Sequence, residues 1–289
     1  MSRRFAAWLA VLLGLPGLAN GQGLTNPFFV LGNGVQGPAY PTPESQAALL
    51  KELGYDGIGP SGVEGVPEML KAFDDEGLKV YALYVGANVD TDQPKYDPKL
   101  KDAIAALKGH GTYVWLYIRS RQHAPSSTGG DRQAVKIVRE VAEMAEQAGV
   151  KVALYPHVGF YVARVEDAVR IADQVDRPSV GVTFNLCHWL KQDGPTGMDE
   201  RLQLALPRLF LVTINGADPE GNWDRIIQTL DRGTFDVYGL LKILKRLGYT
   251  GPIGLQCYAI PGDKRDNLVR SMQAWKGLSK RLAEEASEN

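Results

Sequence analysis

The sequence lacks most features of a nucleic-acid-binding, disulfide-rich or multidomain protein. Its 289 residues carry a formal net charge of -1, so no overall positive field attracts polyanions, and we expect no nucleic-acid partner. Two cysteines, Cys187 and Cys257, are too few for a disulfide framework. They could form one bridge, but two packed free thiols are the simpler expectation. No linker or low-complexity tract divides the chain after its N-terminus, which favours one domain.

The only strongly apolar run near the N-terminus is too short to span a membrane comfortably. Two arginines precede the apolar residues 5–15, and a proline and several small residues follow them. This order is typical of a secretory signal peptide. We therefore expect residues 1–21 to be a signal peptide that is cleaved near residues 19–22. Residues 22–289 would then form the mature domain, secreted or periplasmic and without a membrane span.

Glycine is abundant, and it recurs between a charged helical segment and a short apolar run. The stretches LKELGYDGIG, EMAEQAGVKVALYP and LKRLGYTGPIGLQCY all have this order. A glycine after a helix can adopt the left-handed conformation that ends it. Four to eight β-branched and aromatic residues in a row indicate a strand buried on both faces. Because no hairpin signals intervene, the alternation predicts a parallel sheet covered by helices.

Eight such strand–helix pairs fit in the chain after residue 21, which predicts a single-domain α/β protein, a (β/α)8 TIM barrel. The alternative is a doubly wound open sheet with a dinucleotide-binding loop. Residues 32–37 do match G-x-G-x-x-G. However, the prolines that follow directly prevent the helix that such a loop requires, so the match indicates only a flexible loop.

Polar and aromatic side chains follow the predicted strands, and in a barrel these strand ends form one rim. The candidate site residues are Arg119 after the fourth strand, Tyr155 and His157 after the fifth, Asn185, His188 and Trp189 after the sixth, Asn215 after the seventh and Gln256 after the eighth. Three of the four histidines belong to this rim. Arg119, followed by Arg121 and His123, either grips a phosphate or carboxylate or forms a solvated loop. The loop over residues 216–223 forms either a lid or a capped turn.

The segment VALYPHVGFYVARVEDAVRIADQVDRPSVGVTFNLCHWL resembles, in its layout, the sugar isomerase and epimerase branch of the xylose isomerase-like (AP-endonuclease-like) TIM barrel superfamily. The resemblance extends over the chain after the N-terminal segment and includes Gly-Tyr-x-Gly after the first and seventh helices. In that family the fifth and eighth strands end in glutamate and the sixth in Asp-x-x-His, while the seventh carries histidine or glutamine. The carboxylates and the seventh-strand residue hold one divalent metal, and the glutamates move a proton beside the sugar carbonyl.

This chain departs from that pattern at the metal ligands. The histidine is retained as His188, but Tyr155 and Gln256 replace the two glutamates and Asn185 replaces the aspartate. A phenol and two amides carry none of the negative charge that a hard divalent cation requires, so we expect no metal and no other cofactor. A weak divalent site involving His157, His188, Asn185 or Gln256 is the alternative.

Two functions fit these observations. The first is an exported sugar isomerase/epimerase-like enzyme that transfers a proton next to a carbonyl of a carbohydrate or keto-sugar. In it, His157 and His188 act as general acid and base, and Tyr155, Asn185, Trp189, Asn215, Gln256 and Arg119 bind the substrate. The second is a catalytically silent barrel that binds sugars or serves as a partner subunit. DNA endonuclease activity, which the superfamily also contains, would need a metal-ligand cluster and a basic groove that this sequence does not show. The sequence leaves the oligomeric state open.

Overall fold

Nine parallel strands form a nearly closed ring in the computed structural model, which describes residues 23–287. They are β1 (Phe28–Leu31), β2 (Gly57–Gly59), β3 (Lys79–Val80), β4 (Ala82–Asn88), β5 (Tyr113–Arg119), β6 (Lys151–Leu154), β7 (Val180–Asn185), β8 (Leu209–Ile214) and β9 (Ile253–Leu255). Their order in the sheet is β3-β2-β1-β9-β8-β7-β6-β5-β4. The predicted signal peptide, residues 1–21, lies outside the described residues.

The sequence predicts one strand over residues 79–85, the third in chain order. In the structure this segment is divided at Tyr81 into β3 and β4. β3 pairs with β2, whereas β4 pairs with β5. A parallel bridge between Ser61 and Tyr84 then joins the two ends of the sheet. An open doubly wound sheet would leave those ends apart, so this alternative is wrong and the predicted TIM barrel is confirmed.

Helices cover the outside of the ring. They are α1 (Pro43–Leu53), α2 (Val66–Asp75), α3 (Leu100–Ala106), α4 (Asp131–Gln147), α5 (Val165–Val175), α6 (Leu186–Asp193), α7 (Met198–Ala205), α8 (Trp223–Ile226), α9 (Val237–Arg246) and α10 (Lys264–Ser287). The sequence patterns did not predict α6 and α8, and both lie at the carboxyl ends of strands. Within residues 23–287, none of the helices is both long enough and apolar enough to cross a membrane.

The core has two layers of different composition. An aliphatic layer, to which Leu154 and Val212 belong, packs between the strands and the helices. The second layer fills the barrel and is rich in aromatic side chains, including Phe29, Trp115 and Tyr155. Because successive strand residues point to opposite faces, Tyr155 continues the inward face of β6 beyond the last residue of that strand. Its ring therefore forms the upper end of the barrel filling.

Both cysteines are buried free thiols. Burial raises the pKa of the Cys187 thiol to about 12, and it does the same for Cys257. Because the thiolate is the reactive form, neither side chain is an activated nucleophile at neutral pH.

Candidate functional site

Two imidazole rings lie against each other at the carboxyl-terminal mouth of the barrel. His157 follows β6, His188 lies in the first turn of α6, and their ring centroids are 3.9 Å apart. Phe160 stacks on the His157 ring at 3.9 Å, and Trp223 meets the His188 ring edge-on at 5.7 Å. The histidine pair is thus enclosed by two aromatic side chains from different loops.

α6 begins without a loop, directly at the end of β7, and this start determines which of its side chains face the mouth. Asn185 caps the helix, because its side-chain oxygen accepts a hydrogen bond from the backbone N–H of His188 at 3.0 Å. Neighbouring residues on a helix point about 100° apart. His188 consequently faces the barrel mouth, whereas Trp189 packs against Phe184 and Phe235 in the outer layer. Trp189 is 3% exposed there, and we do not retain it as a substrate-binding residue.

Two of the three side chains that replace the family carboxylates share a hydrogen bond. The Asn185 amide donates to the Tyr155 hydroxyl at 2.8 Å, and the Cys187 thiol donates to the Asn185 side-chain oxygen at 3.0 Å, so these three residues form one network. The third replacement, Gln256, follows β9 and directs its side-chain oxygen at backbone N–H groups. All four residues are buried.

The donor set of this network does not fit the divalent metal of the resembled family. The Asn185 side-chain oxygen already accepts hydrogen bonds from the His188 N–H and the Cys187 thiol. The Gln256 oxygen accepts the N–H groups of Cys257 and Tyr258 at 3.0 and 3.2 Å. Neither carbonyl oxygen is left for a cation, and no carboxylate takes its place. Across the described part of the chain, no three His, Cys, Asp or Glu side chains are grouped as a metal site.

Burial keeps the central groups of the site uncharged. It lowers the pKa of His157, and it holds the pKa of His188 well below its usual value, with the neighbouring His157 adding to the effect. Burial also raises the pKa of Tyr155 well above the usual value for a phenol. At neutral pH the site therefore contains two neutral imidazoles and a protonated phenol.

The tautomer of His157 follows from its hydrogen bond. Its Nδ1 lies 2.8 Å from the backbone carbonyl oxygen of Val158, which can only accept a hydrogen bond, so Nδ1 carries the proton. The Nε2 atom of the neutral ring is then unprotonated and can act as a base. Tyr155 accepts a hydrogen bond from the Asn185 amide, which leaves its own O–H free to donate.

Several buried polar atoms next to the pair have no hydrogen-bond partner among residues 23–287. They are the Thr213 hydroxyl, the Asn215 side-chain oxygen and His188 Nδ1. Thr213 stands in register with Asn185 across the neighbouring strands. The Asn215 amide nitrogen donates to the carbonyls of Gly216 and Ile226 and so fastens the loop that carries Trp223. Thr213 and Asn215 are both fully buried, so their unpaired atoms lie beneath the surface of the mouth.

Arg119, the last residue of β5, is exposed and lines a separate cavity together with Tyr84 and Tyr117. The cavity adjoins the histidine pair, because Tyr84 contacts Tyr155 and Tyr117 contacts Phe160, each at 5.2 Å between centroids. The third histidine of the predicted rim, His123, lies apart from the pair, against Tyr161.

Sequence reasoning missed four aromatic members of this region: Tyr84, Tyr117, Phe160 and Trp223. The two tyrosines lie on strands that are apolar on both faces, so periodicity could not show which face points inward. Phe160 lies in the loop after β6 and Trp223 begins α8, and only the tryptophan stood in a segment already considered as a lid.

Comparison with known proteins gives one family and a set of similar folds. The family described as xylose isomerase-like TIM barrel matches residues 47–278. No curated protein sequence matches the chain. Similar solved structures include 3-keto-D-glucoside 4-epimerase YcjR from E. coli, with a TM-score of 0.70 and 19% identity over 86% of this chain and 98% of that one. D-allulose 3-epimerase from Methylomonas sp. has a TM-score of 0.71 and 17% identity, covering 90% of this chain and 100% of that one. L-ribulose 3-epimerase has a TM-score of 0.70 and 14% identity, covering 90% and 96%.

Proposed function

The chain belongs to the xylose isomerase-like TIM barrel family, and from this membership and its site we propose that it is an exported sugar isomerase/epimerase-like enzyme. It moves a proton next to a carbonyl of a carbohydrate or keto-sugar, without the divalent metal of its relatives. The observation that carries this proposal is the neutral pair of His157 and His188 beside the free hydroxyl hydrogen of Tyr155. The sugar epimerases among the similar structures support the choice of substrate class.

His157 is the general base in this reaction. Its Nδ1–H is held by the Val158 carbonyl, so Nε2 is available to take the proton from the carbon next to the carbonyl. The C–H bond breaks, a new N–H bond forms, and the electron pair moves into the carbonyl to give an enolate. Because burial lowers the pKa of His157, the ring is unprotonated and ready at neutral pH.

Tyr155 stabilises the enolate oxygen by donating its O–H. In a low-dielectric site, a fixed hydrogen-bond donor replaces part of the stabilisation that a metal supplies in the relatives. The high pKa of Tyr155 keeps its proton on the phenol, and the Asn185 amide holds the oxygen in place by donating to it. The hydroxyl therefore needs no reorganisation as negative charge develops.

The proton returns from the imidazole pair. The positive charge on a protonated His157 lowers the pKa of the adjacent His188, so the pair holds one extra proton and repels a second. Return of that proton to the neighbouring carbon on the same face gives an isomer, with the hydroxyl proton of that carbon passing to the former carbonyl oxygen. An epimer forms when water protonates the same carbon from the opposite face, and the proton on the imidazole pair then passes to the hydroxide that remains.

A catalytically silent sugar-binding barrel is the second candidate, and one observation favours it. Asn185 donates to the Tyr155 hydroxyl and accepts from the Cys187 thiol, and the Gln256 oxygen accepts from a backbone N–H group. Both side chains therefore offer fewer hydrogen bonds to a substrate than the sequence predicts. Such a network stabilises the barrel mouth whether or not turnover occurs.

Deuterium exchange separates the two candidates. Incubated in D₂O with a panel of aldoses, ketoses and 3-keto-sugars, the protein is expected to incorporate deuterium at a carbon next to the carbonyl of at least one member. Because no step requires a divalent ion, protein dialysed against EDTA should exchange at the same rate, as measured by NMR. Sugar binding without exchange would establish the silent barrel, and loss of exchange after EDTA treatment would contradict the metal-free mechanism.

Export is proposed from the N-terminal sequence, and it predicts a shortened chain. In cells that produce the full-length protein, the exported fraction should begin near residues 19–22 when its N-terminal peptide is read by mass spectrometry. Leu13→Arg interrupts the apolar run and should leave the intact chain in the cytoplasm. An exported or cytoplasmic wild-type form that retains the first 18 residues would refute the proposal.

A further inference from the structure

The Arg119 cavity lies between the carboxyl ends of β4 and β5 and the segment over residues 93–98. Its volume is about 510 Å³, within the roughly 300–1,000 Å³ typical of small-molecule sites. Tyr84 and Tyr117 line one wall, with their ring centroids 4.8 Å apart. Asn88 and Arg119, paired in register at the strand ends, line the rim.

A glycine within β4 gives this cavity its aromatic wall. Gly86 pairs in register with Tyr117, and a Cβ atom at position 86 would overlap the Tyr117 ring. Gly86 therefore allows that ring to lie across the neighbouring strand. A flat aromatic surface of this kind packs against the C–H groups of a sugar ring.

The cavity carries one uncompensated positive charge. Within residues 23–287, the Arg119 guanidinium has neither an ion pair nor a hydrogen bond, although the side chain is exposed at the rim. The other cation of the lining, Lys95, is bound to Glu140 at 2.7 Å. Asp97, also in the lining, adds a negative charge that disfavours a doubly charged ligand.

We propose that the Arg119 cavity binds a sugar acid, with its carboxylate on the Arg119 guanidinium and its ring on Tyr117. The planar fork of the guanidinium matches a carboxylate in charge and shape. A phosphate dianion suits the cavity less, because only one free cation faces it and Asp97 lies nearby. The inference rests on the proposed function only in taking the ligand to be a sugar. It names that sugar as acidic, bound beside the histidine pair.

The test compares glucuronate with glucose, which differ in the carboxylate alone, by calorimetric titration. The wild-type protein is expected to bind glucuronate about tenfold more tightly, since a charge-assisted hydrogen bond at a partly exposed site gives about that factor. Arg119→Gln should remove this preference, so that glucuronate and glucose bind with equal affinity. Arg119→Lys should retain part of it, and Tyr117→Ala should weaken both sugars alike.

Arg121→Gln is the matched control, because Arg121 is equally exposed two residues further along but does not line the cavity. It should leave the preference intact. The inference would be overturned if the wild type bound the two sugars equally tightly, or if the preference for glucuronate survived Arg119→Gln. It would also be overturned if glucose 6-sulfate or glucose 6-phosphate bound more tightly than glucuronate. Deuterium exchange measured on the same variants distinguishes failure of the sugar-acid site from failure of the catalytic activity. A preference for glucuronate without any deuterium exchange would refute only the catalytic activity.

Discussion

Replacing His157 by glutamine is expected to lower the rate of deuterium exchange next to the sugar carbonyl by about 10²–10⁴-fold, the usual contribution of a positioned general base. Glutamine has a similar reach and no charge, but its amide cannot take up a proton. The loss should appear in the exchange rate at saturating sugar, whereas sugar affinity changes little. Exchange in D₂O, followed by NMR, measures the first quantity, and calorimetry measures the second.

The pH dependence of wild-type exchange should identify the same group. The base is the neutral imidazole, and burial lowers its pKa by disfavouring the charged form. The rate should therefore rise as the pH is raised through a value below 6.5 and should be constant by neutral pH. In His157→Gln this rise should disappear together with the activity.

His110→Gln is the matched control, because His110 lies before β5 at the opposite end of the barrel and is 3.2 Å from Asp74. It should exchange at the wild-type rate. If His157→Gln retained wild-type exchange, His157 would not be the base. Thermal unfolding of each variant shows whether a loss of activity reflects a loss of fold.

The sequence was sufficient for the architecture because the helix–glycine–strand alternation is a local signal repeated along the chain. From the sequence alone, the apolar runs predict strands over residues 113–118, 180–184 and 208–214, and each of these ends lies within one residue of β5, β7 or β8 as observed. The break at Tyr81 could not be predicted, since it arises where one strand changes partners to close the ring. Closure depends on residues that are distant in sequence.

The site was predictable in its strand-end residues and not in the orientation of its side chains. Asn185, His188 and Trp189 were predicted to lie together because all three follow one strand. α6 begins directly after β7, and no glycine or proline marks its start in the sequence. Because neighbouring helical residues point about 100° apart, Trp189 and His188 face different directions. Tyr84 and Tyr117 were missed because a strand apolar on both faces does not reveal which face lines the barrel.

The side chains at two of the positions that hold metal ligands in the resembled family are consistent with each other. Buried carboxylates without a cation would repel each other strongly and would remain costly to desolvate. Tyr155 and Asn185 instead form a complementary pair, with an amide donor directed at a phenol oxygen. Replacing only one of the two would have left an unpaired charge or an unpaired donor in the barrel mouth. The two positions therefore act as a unit.

Tyr155→Phe tests this unit, and it is expected to lower the free energy of unfolding by about 1–3 kcal/mol. The variant removes the acceptor of the Asn185 amide, and a buried donor left without a partner costs about that much. Urea unfolding of the purified protein measures the change.

Tyr84→Phe provides the matched comparison, because the two tyrosines are neighbours at 5.2 Å between centroids and the same oxygen is removed. No hydrogen bond involves the Tyr84 hydroxyl within residues 23–287, so its removal should change the free energy of unfolding by less than about 1 kcal/mol. Equal destabilisation by both substitutions would mean that the network contributes nothing beyond packing. In that case the replacements at positions 155 and 185 would be independent of each other, and the donor role of Tyr155 in catalysis would lose its structural support.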